Sequence, residues 1–394
     1  MRILVITGKG GVGKTTVAAS TAVLAARKDI KTLVMSTDPA HSLSDSFNTQ
    51  IGSIPLEIDK NLFAQEIDTR AELEKHWGNI KKFISSSLQS RGVQSTVADE
   101  ISIFPGMQEL FSLLLLKKYY EQNTFDLLIL DCAPTDATIR LLSFPEAGQW
   151  YLQKIFPVQK NVAKFAKPLV DKMYDVKLPD RGVFDDIENL VVALAGIKKI
   201  LCNHDITTIR FVVNLEKMVI NEAKRAFTYM NLYDYLVDGI YINKIFPDSI
   251  KDSYFDSWKK IQRKYQSEVE QSFPTRKIFK AALLDSEIVG LDMLSKFGEA
   301  VYDSMNPAKI FCRDKPIIID KDEQGYSLKW KLPGVEKSNL DLFIRGDELV
   351  IQAGQYQRNM ILPGVLMGKS ISKAKFEGEY LKIEFATPEP AINA

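Results

Sequence analysis

Cysteine and histidine are nearly missing from this chain. Its 394 residues hold three cysteines (Cys132, Cys202, Cys312) and three histidines (His41, His76, His204), widely spaced and with no C-x-x-C pair. That excludes a disulfide framework and offers no ligand set for structural zinc, so no zinc is expected and a reducing compartment fits. A dominant charge is missing too. Fifty-one basic residues stand against 50 acidic ones, a net of +1 with no basic block, which leaves a nucleic-acid partner without electrostatic support. Long hydrophobic runs are lacking, and Leu113 to Leu116 is far too short to cross a bilayer, so no integral membrane segment is expected. A strand pattern begins already at Arg2, in place of a signal or transit peptide. The expected location is cytoplasmic, or the plastid stroma if a transit peptide has been removed. The remainder, 45% hydrophobic and 26% charged, describes a globular protein with a sizeable core and room for two domains.

Glycine is where the chain becomes specific. Gly8-Lys9-Gly10-Gly11-Val12-Gly13-Lys14-Thr15-Thr16 fits G-x-x-x-x-G-K-[ST], between an apolar run (Arg2 to Thr7) and a helical pattern from Val17 to Ala26. In the order strand, glycine loop, helix, backbone N–H groups close around phosphate oxygens and the helix dipole adds positive potential. Lys14 then reaches the β- and γ-phosphates and the Thr15 hydroxyl ligates Mg²⁺, making ATP and Mg²⁺ the expected cofactors. Lys9 lies too early in the loop to point at its own subunit's γ-phosphate. The K-G-G-x-G-K-T form resembles the deviant loop of dimerising ATPases, which implies that Lys9 crosses to the partner's nucleotide and that the chain forms a homodimer. A solvated loop lysine is the plain alternative.

Apolar, β-rich runs recur at Ile3–Thr7, Thr32–Ser36, Phe63–Ile67, Asp126–Asp131, Ile209–Val213, Gly239–Asn243 and Arg276–Phe279. Most are continuous, as strands covered on both faces require, with helical patterns between them. The pattern predicts an α/β fold, a doubly wound parallel sheet with right-handed crossovers. The intervals at about 69–125 and 140–207 are too long for simple crossovers and must hold helical inserts. After a linker at 306–315 the period becomes two, at Tyr326–Leu332, Asn339–Ile344, Glu348–Gln352, Ile371–Phe376 and Tyr380–Phe385, with turn signals between. This predicts an all-β sandwich over 316–388, with a short tail at 389–394. The ATPase core, residues 1–305, is expected to stay folded when the chain is cut after Pro307.

Two strand ends carry carboxylates. Asp38, after the second strand, points toward the phosphates and is read as the group that orients or deprotonates the water attacking the γ-phosphate; a turn or capping role is the alternative. For His41, loop hydrogen bonding is as good a reading as any chemistry. Phe125 to Asp131 is a hydrophobic strand ending in a carboxylate, so Asp131 is expected to bond Mg²⁺ through water. Cys132 there reads as a small apolar residue, and Ala133-Pro134-Thr135 as a γ-phosphate-sensing switch. Asp38 and Pro39 would form the other switch.

The glycine loop, Asp38-Pro39-Ala40-His41-Ser42 and Leu130-Asp131-Cys132-Ala133-Pro134-Thr135 together resemble the arsenite-pump and tail-anchored-protein-targeting ATPases. The resemblance covers roughly residues 1–305 and implies adenine contact by Asn243. Where that family usually has A-P-T-G-H-T, this chain has Ala133-Pro134-Thr135-Asp136-Ala137-Thr138, which adds a carboxylate and implies slow turnover. The zinc-binding C-x-x-C of many targeting homodimers and the clustered cysteines of an arsenite site are both missing. Leu332-Pro333-Gly334-Val335, Leu349-Val350-Ile351, Leu362-Pro363 and Ala374-Lys375-Phe376 resemble the α-crystallin domain of small heat-shock proteins, without an I-x-I/V motif in the tail. The combination is similar to the cyanobacterial and plastid variant of the targeting ATPases.

The resemblance implies an ATP-controlled chaperone or targeting factor that holds hydrophobic protein segments in a groove gated by nucleotide. Contact with a membrane factor would be transient. Apolar residues at helical spacing supply the candidate groove: Met107, Leu110, Phe111 and Leu114 in the first insert, and Leu190, Val191, Leu194 and Ile197 in the second. Packing of these stripes in the core is the plain alternative. A nucleotide-bound scaffold with little turnover and an arsenite-efflux subunit are the competing readings.

Overall fold

Leu4, Val5 and Ile6 follow one another with no polar break, and in the computed structural model all three are buried within the first strand. The structure describes residues 1–38, 42–67, 82, 85, 89, 94, 107–133, 135, 138–139, 141–143, 181–322, 325–354 and 356–386. The chain divides into two units, one of Met1–Thr207 with Leu284–Lys309, the other of Thr208–Leu283 with Ile310–Ala394.

The first unit holds β1 (Arg2–Thr7), β2 (Thr32–Ser36), β3 (Leu56–Asp59), β4 (Leu62–Glu66) and β5 (Leu127–Asp131), in the sheet order β3-β4-β2-β5-β1. Parallel pairing sets Ile6 and Ser36 opposite Asp131, and Ser36 opposite Glu66, so the functional strand ends share one level. Strand β3 was not legible in the pattern: it is a short, mostly exposed antiparallel edge, joined to β4 by a tight turn with Asn61 at φ 62°. Its helices are α1 (Lys14–Arg27), α2 (Ser42–Phe47), α3 (Met107–Gln122), α4 (Arg181–Leu201) and α7 (Gly290–Tyr302), among the described residues. Helix α7 lies so close to α1 that a Cβ on Gly298 would meet Leu24 at 2.9 Å, and Thr21 and Tyr302 share a buried hydrogen bond of 2.8 Å.

The second unit begins with parallel strands β6 (Thr207–Asn214), β7 (Val237–Ile245) and β8 (Lys277–Ala282), joined through α5 (Lys217–Leu232) and α6 (Asp256–Ser272). Two antiparallel sheets follow, β14-β15-β10-β9 and β11-β12-β13. Their strands are β9 (Ile317–Asp322), β10 (Gly325–Lys331), β11 (Leu340–Arg345), β12 (Glu348–Ala353), β13 (Tyr356–Ile361), β14 (Ser370–Glu377) and β15 (Tyr380–Ala386). Strands β9 and β13 add to the five runs read from period two.

The sandwich does not close its core alone. Leu232, from the last turn of α5, is buried in one cluster with Leu328, Trp330, Leu349, Ile351, Leu381 and Ile383. The Trp330 indole N–H donates to the Asn231 carbonyl at 3.1 Å, Thr228 Oγ1 donates to the Pro333 carbonyl at 2.7 Å, and the Tyr233 hydroxyl donates to the Gln357 carbonyl at 3.0 Å. Residues of the stretch read as a linker, 306–315, also make hydrogen bonds to the body of this unit. Phe311 N–H donates at 3.0 Å to Asp238, whose other oxygen holds the buried Arg210 guanidinium at 3.1 Å. Asp314 collects Arg276, Lys331 and the Tyr380 hydroxyl, which hold its carboxyl down at about 2 although burial pushes the other way. A cut after Pro307 would take from the end of α5 the surface that covers Leu232.

Candidate nucleotide site

The loop from Gly8 to Gly13 gets its shape from glycine where the backbone turns left-handed: Gly11 has φ 79°, and Gly13, the residue capping α1, has φ 94°. Side chains rarely adopt that conformation, so G-x-x-x-x-G-K is a backbone requirement as much as a chemical one. Val12 anchors the loop in the core, while Gly10 and Gly11 are exposed. Lys14 is buried, and its ammonium donates to the Lys9 carbonyl at 3.3 Å, folded back over the loop that is to hold phosphate. Lys9 itself is half-buried, and Thr16 continues the first turn of α1.

Thr15 Oγ1 donates to Ser42 Oγ at 3.3 Å. Asp131, one strand away, is 1% exposed, and neither carboxylate oxygen has a hydrogen-bond partner. Burial raises its pKa to about 7, and the charge of Asp38 adds to the rise; the Thr15 hydroxyl and the Lys14 ammonium act the other way without reaching either oxygen in a formed bond. A buried carboxylate left without donors costs stability, and a hard cation is the group that relieves it. With the Thr15 hydroxyl beside it, this donor set fits Mg²⁺ shared with nucleotide phosphates. Burial and the neighbouring Asp131 push the Cys132 thiol up to about 12, so it stays protonated and acts as apolar filling.

Hydrogen bonds that spacing did not reveal tie together the two segments expected to act as switches. Thr37 N–H donates to the Asp131 carbonyl at 3.0 Å, and the Thr37 hydroxyl accepts from Ala133 N–H at 3.0 Å. Thr7 Oγ1 donates to Thr138 Oγ1 at 2.8 Å, which in turn donates to the Ala133 carbonyl at 3.0 Å. Glu66, buried at the end of β4, accepts from Ser44 N–H and from its hydroxyl, both at 2.9 Å, and so anchors the start of α2. Asp38 is half-buried and its N–H donates to Ser36 Oγ at 3.1 Å. Thr135 is buried; Pro39, His41, Pro134, Asp136 and Ala137 lie outside the described residues. Asn243, in the second unit, is buried at the end of β7 and its Oδ1 accepts from Lys244 N–H at 2.9 Å.

Most of the candidate groove residues whose side chains are described are buried. Leu110 and Phe111 of α3 are buried, as are Val191, Leu194 and Ile197 of α4, and the two helices pack on each other. Leu114 and Leu190 are half-buried, and the side chain of Met107 lies outside the described set. Among the described side chains of α4, Val192 is a large apolar one that is exposed, at 60%. Helical spacing alone could not separate an open stripe from a packed one.

A family model described as anion-transporting ATPase matches residues 1–303, and one described as an HSP20-like domain found in ArsA matches residues 323–385. The putative arsenical pump-driving ATPase 1 of Aquifex aeolicus (strain VF5) is 39% identical over 393 residues, 97% of this chain and 99% of that protein. The putative arsenical pump-driving ATPase of Chlorobaculum tepidum is 39% identical over 98% of this chain and 96% of that one. The ATPase ASNA1 homolog 1 of Paramecium tetraurelia is 29% identical, covering 76% of this chain and 92% of its own length.

Proposed function

This chain belongs to the anion-transporting ATPase family, and from that premise we propose a magnesium-dependent homodimer that uses ATP to open and close a surface for hydrophobic protein segments, in a cytoplasm-like compartment. The ATPase activity comes with the family. The observation that supports the client part is the α3–α4 interface. Leu110, Phe111 and Leu116 of one helix and Val191, Leu194, Ile197 and Leu201 of the other are buried, and the two helices pack on each other in the insert positions, so parting them would expose apolar surface.

The roles follow from the site. The loop N–H groups bind phosphate oxygens, and Lys14 leaves the Lys9 carbonyl for the β- and γ-phosphates. A magnesium ion bound with the nucleotide would be held by Thr15 and, through water, by Asp131, and would neutralise charge between the last two phosphates. Asp38 orients the attacking water, whose oxygen bonds to phosphorus as the bond to ADP breaks. Lys9 reaches the nucleotide of the partner subunit, and Asn243 faces adenine. Because Thr37 bridges the segments of Asp38 and Ala133, a change at either is passed to the other.

The names of the 39%-identical relatives favour a second reading, work for an arsenical pump. It requires soft thiolate ligands. Cys132 is buried and protonated, Cys202 lies just past α4, and Cys312 lies in the other unit. Arsenite should therefore leave ATP turnover unchanged.

The test is retention of a synthetic apolar helix, fused to a soluble carrier, by the full chain with ATP, with ADP and without nucleotide. Light scattering on the same samples should give two subunits in each Mg·ATP state, with or without a zinc chelator. Equal retention in all three states would remove the gating, and a monomer with ATP bound would remove the role of Lys9. Single-turnover hydrolysis separates both from a scaffold that binds ATP without turning it over.

A further inference from the structure

Two asparagines lie abreast at the ends of neighbouring strands. Asn214 closes β6, and the parallel register sets it opposite Asn243 near the end of β7. Register partners on parallel strands point to the same face, with the chains about 5 Å apart, so the two amides are neighbours.

The end of β7 is shaped for more than pairing. From Ile242 to Ile245 it advances three residues while β8 advances two, from Lys280 to Ala282, so Asn243 and Lys244 bulge out of the ladder. Lys244 has φ 55°, a left-handed backbone that a residue with a side chain holds only where its surroundings enforce it. Here Gln262 of α6 enforces it, donating to the Lys244 carbonyl at 3.2 Å and accepting from Phe246 N–H at 2.9 Å. Lys244 N–H in turn donates to Asn243 Oδ1 at 2.9 Å, which fixes that amide.

Asn214 differs from its neighbour. Its backbone carbonyl accepts from Glu216 N–H at 2.8 Å, but its side-chain oxygen is buried and accepts no hydrogen bond. The residues before it, Phe211, Val212 and Val213, are apolar and buried. An acceptor kept there without a donor costs stability, and it points to a donor that arrives with a ligand.

We propose that Asn214 reads the 6-amino edge of the nucleobase, an inference that rests on the reading that puts adenine at Asn243. An asparagine amide matches adenine at two points: Oδ1 accepts from the 6-amino group while Nδ2 donates to an adjacent ring nitrogen. A 6-oxo purine puts a carbonyl where that amino donor should be. Two acceptors would then face each other in a buried place, and a site built on hydrogen bonds rejects such an isostere strongly. Asn243, fixed by Lys244 N–H, holds the base in position, and Asn214 selects it.

The test is isothermal titration of the full-length protein with Mg·ATP and with Mg·ITP, whose base carries oxygen in place of the 6-amino group. Wild type should bind ATP about tenfold more tightly than ITP, or better. Asn214→Leu removes the amide and keeps an apolar side chain of similar size. It should bring the two affinities within about twofold, chiefly by weakening ATP, and its melting temperature without nucleotide should equal or exceed that of wild type. Asn214→Ala, which adds no bulk, should shift the ratio the same way. An unchanged ratio of ATP to ITP affinity in both variants would overturn the proposal, as would an equal loss of both nucleotides. Asn243→Ala separates this from the reading beneath it. If it weakens ATP while the Asn214 variants keep the ratio, adenine lies at this edge and Asn214 does not read it. If no variant at either position alters the binding of either nucleotide, adenine is not at Asn243 and both readings fall.

Discussion

The hydroxyl of Thr37, just past β2, accepts a hydrogen bond from the backbone N–H of Ala133, just past β5, at 3.0 Å. It joins the segment carrying the candidate water-orienting carboxylate to the segment expected to sense the γ-phosphate. Thr37→Val keeps the shape and removes the acceptor. ATP affinity should change little while turnover falls about tenfold, the loss of roughly one hydrogen bond made in a positioned site. Initial-rate kinetics check it: an unchanged kcat would mean that the two segments move independently.

Lys14→Ala should abolish Mg·ATP binding. Lys14 is buried against the loop, and Lys9, on this reading, serves the partner's nucleotide rather than its own. Isothermal titration measures it directly, and unchanged affinity would remove the assignment of the loop.

Asp38→Asn should bind nucleotide as the wild type does and lose about a hundredfold in turnover or more, since the amide keeps the volume but cannot take a proton from water. Wild-type hydrolysis in this variant would move the role to another residue.

Asp131 gives a pH dependence. Its folded pKa is near 7, against 3.8 for a free carboxyl. The folded state therefore holds the proton that the unfolded state releases, and stability without nucleotide falls as pH rises from about 4 to about 7. Asp131→Asn removes that loss. Melting scans without nucleotide should show the variant gaining on wild type between about pH 4 and about pH 7, while its Mg²⁺-dependent turnover drops. Parallel melting curves would mean that Asp131 is ionised and already satisfied in the folded protein.

Trp330→Ala should destabilise by about 3–5 kcal/mol, since it opens a large cavity in the cluster shared with Leu232 and orphans the Asn231 carbonyl. Truncation after Pro307 should do more, exposing the end of α5 and raising dye binding and aggregation. Calorimetry on the truncated chain decides it: an unchanged melting transition would make the sandwich a passenger.

The amino-acid sequence by itself determined the parts whose physics is local. A left-handed backbone needs Gly11 and Gly13, a phosphate needs Lys14 beside them, and a strand covered on both faces reads as Leu127 to Leu130 with Asp131 at its end. Period two foretold strands such as Tyr326 to Lys331 for the same reason, because alternate residues face alternate sides. Only the tertiary structure decided what depends on partners distant in the chain. Thr37 and Ala133 are 96 residues apart, and Trp330 and Asn231 are 99 apart, with no spacing that announces either pair. Strand β3 was hidden because an exposed edge needs no hydrophobic pattern, only a neighbour offering hydrogen bonds. The apolar stripes of α3 and α4 read alike whether open or packed, since periodicity reports which residues share a face and only packing says what lies against it.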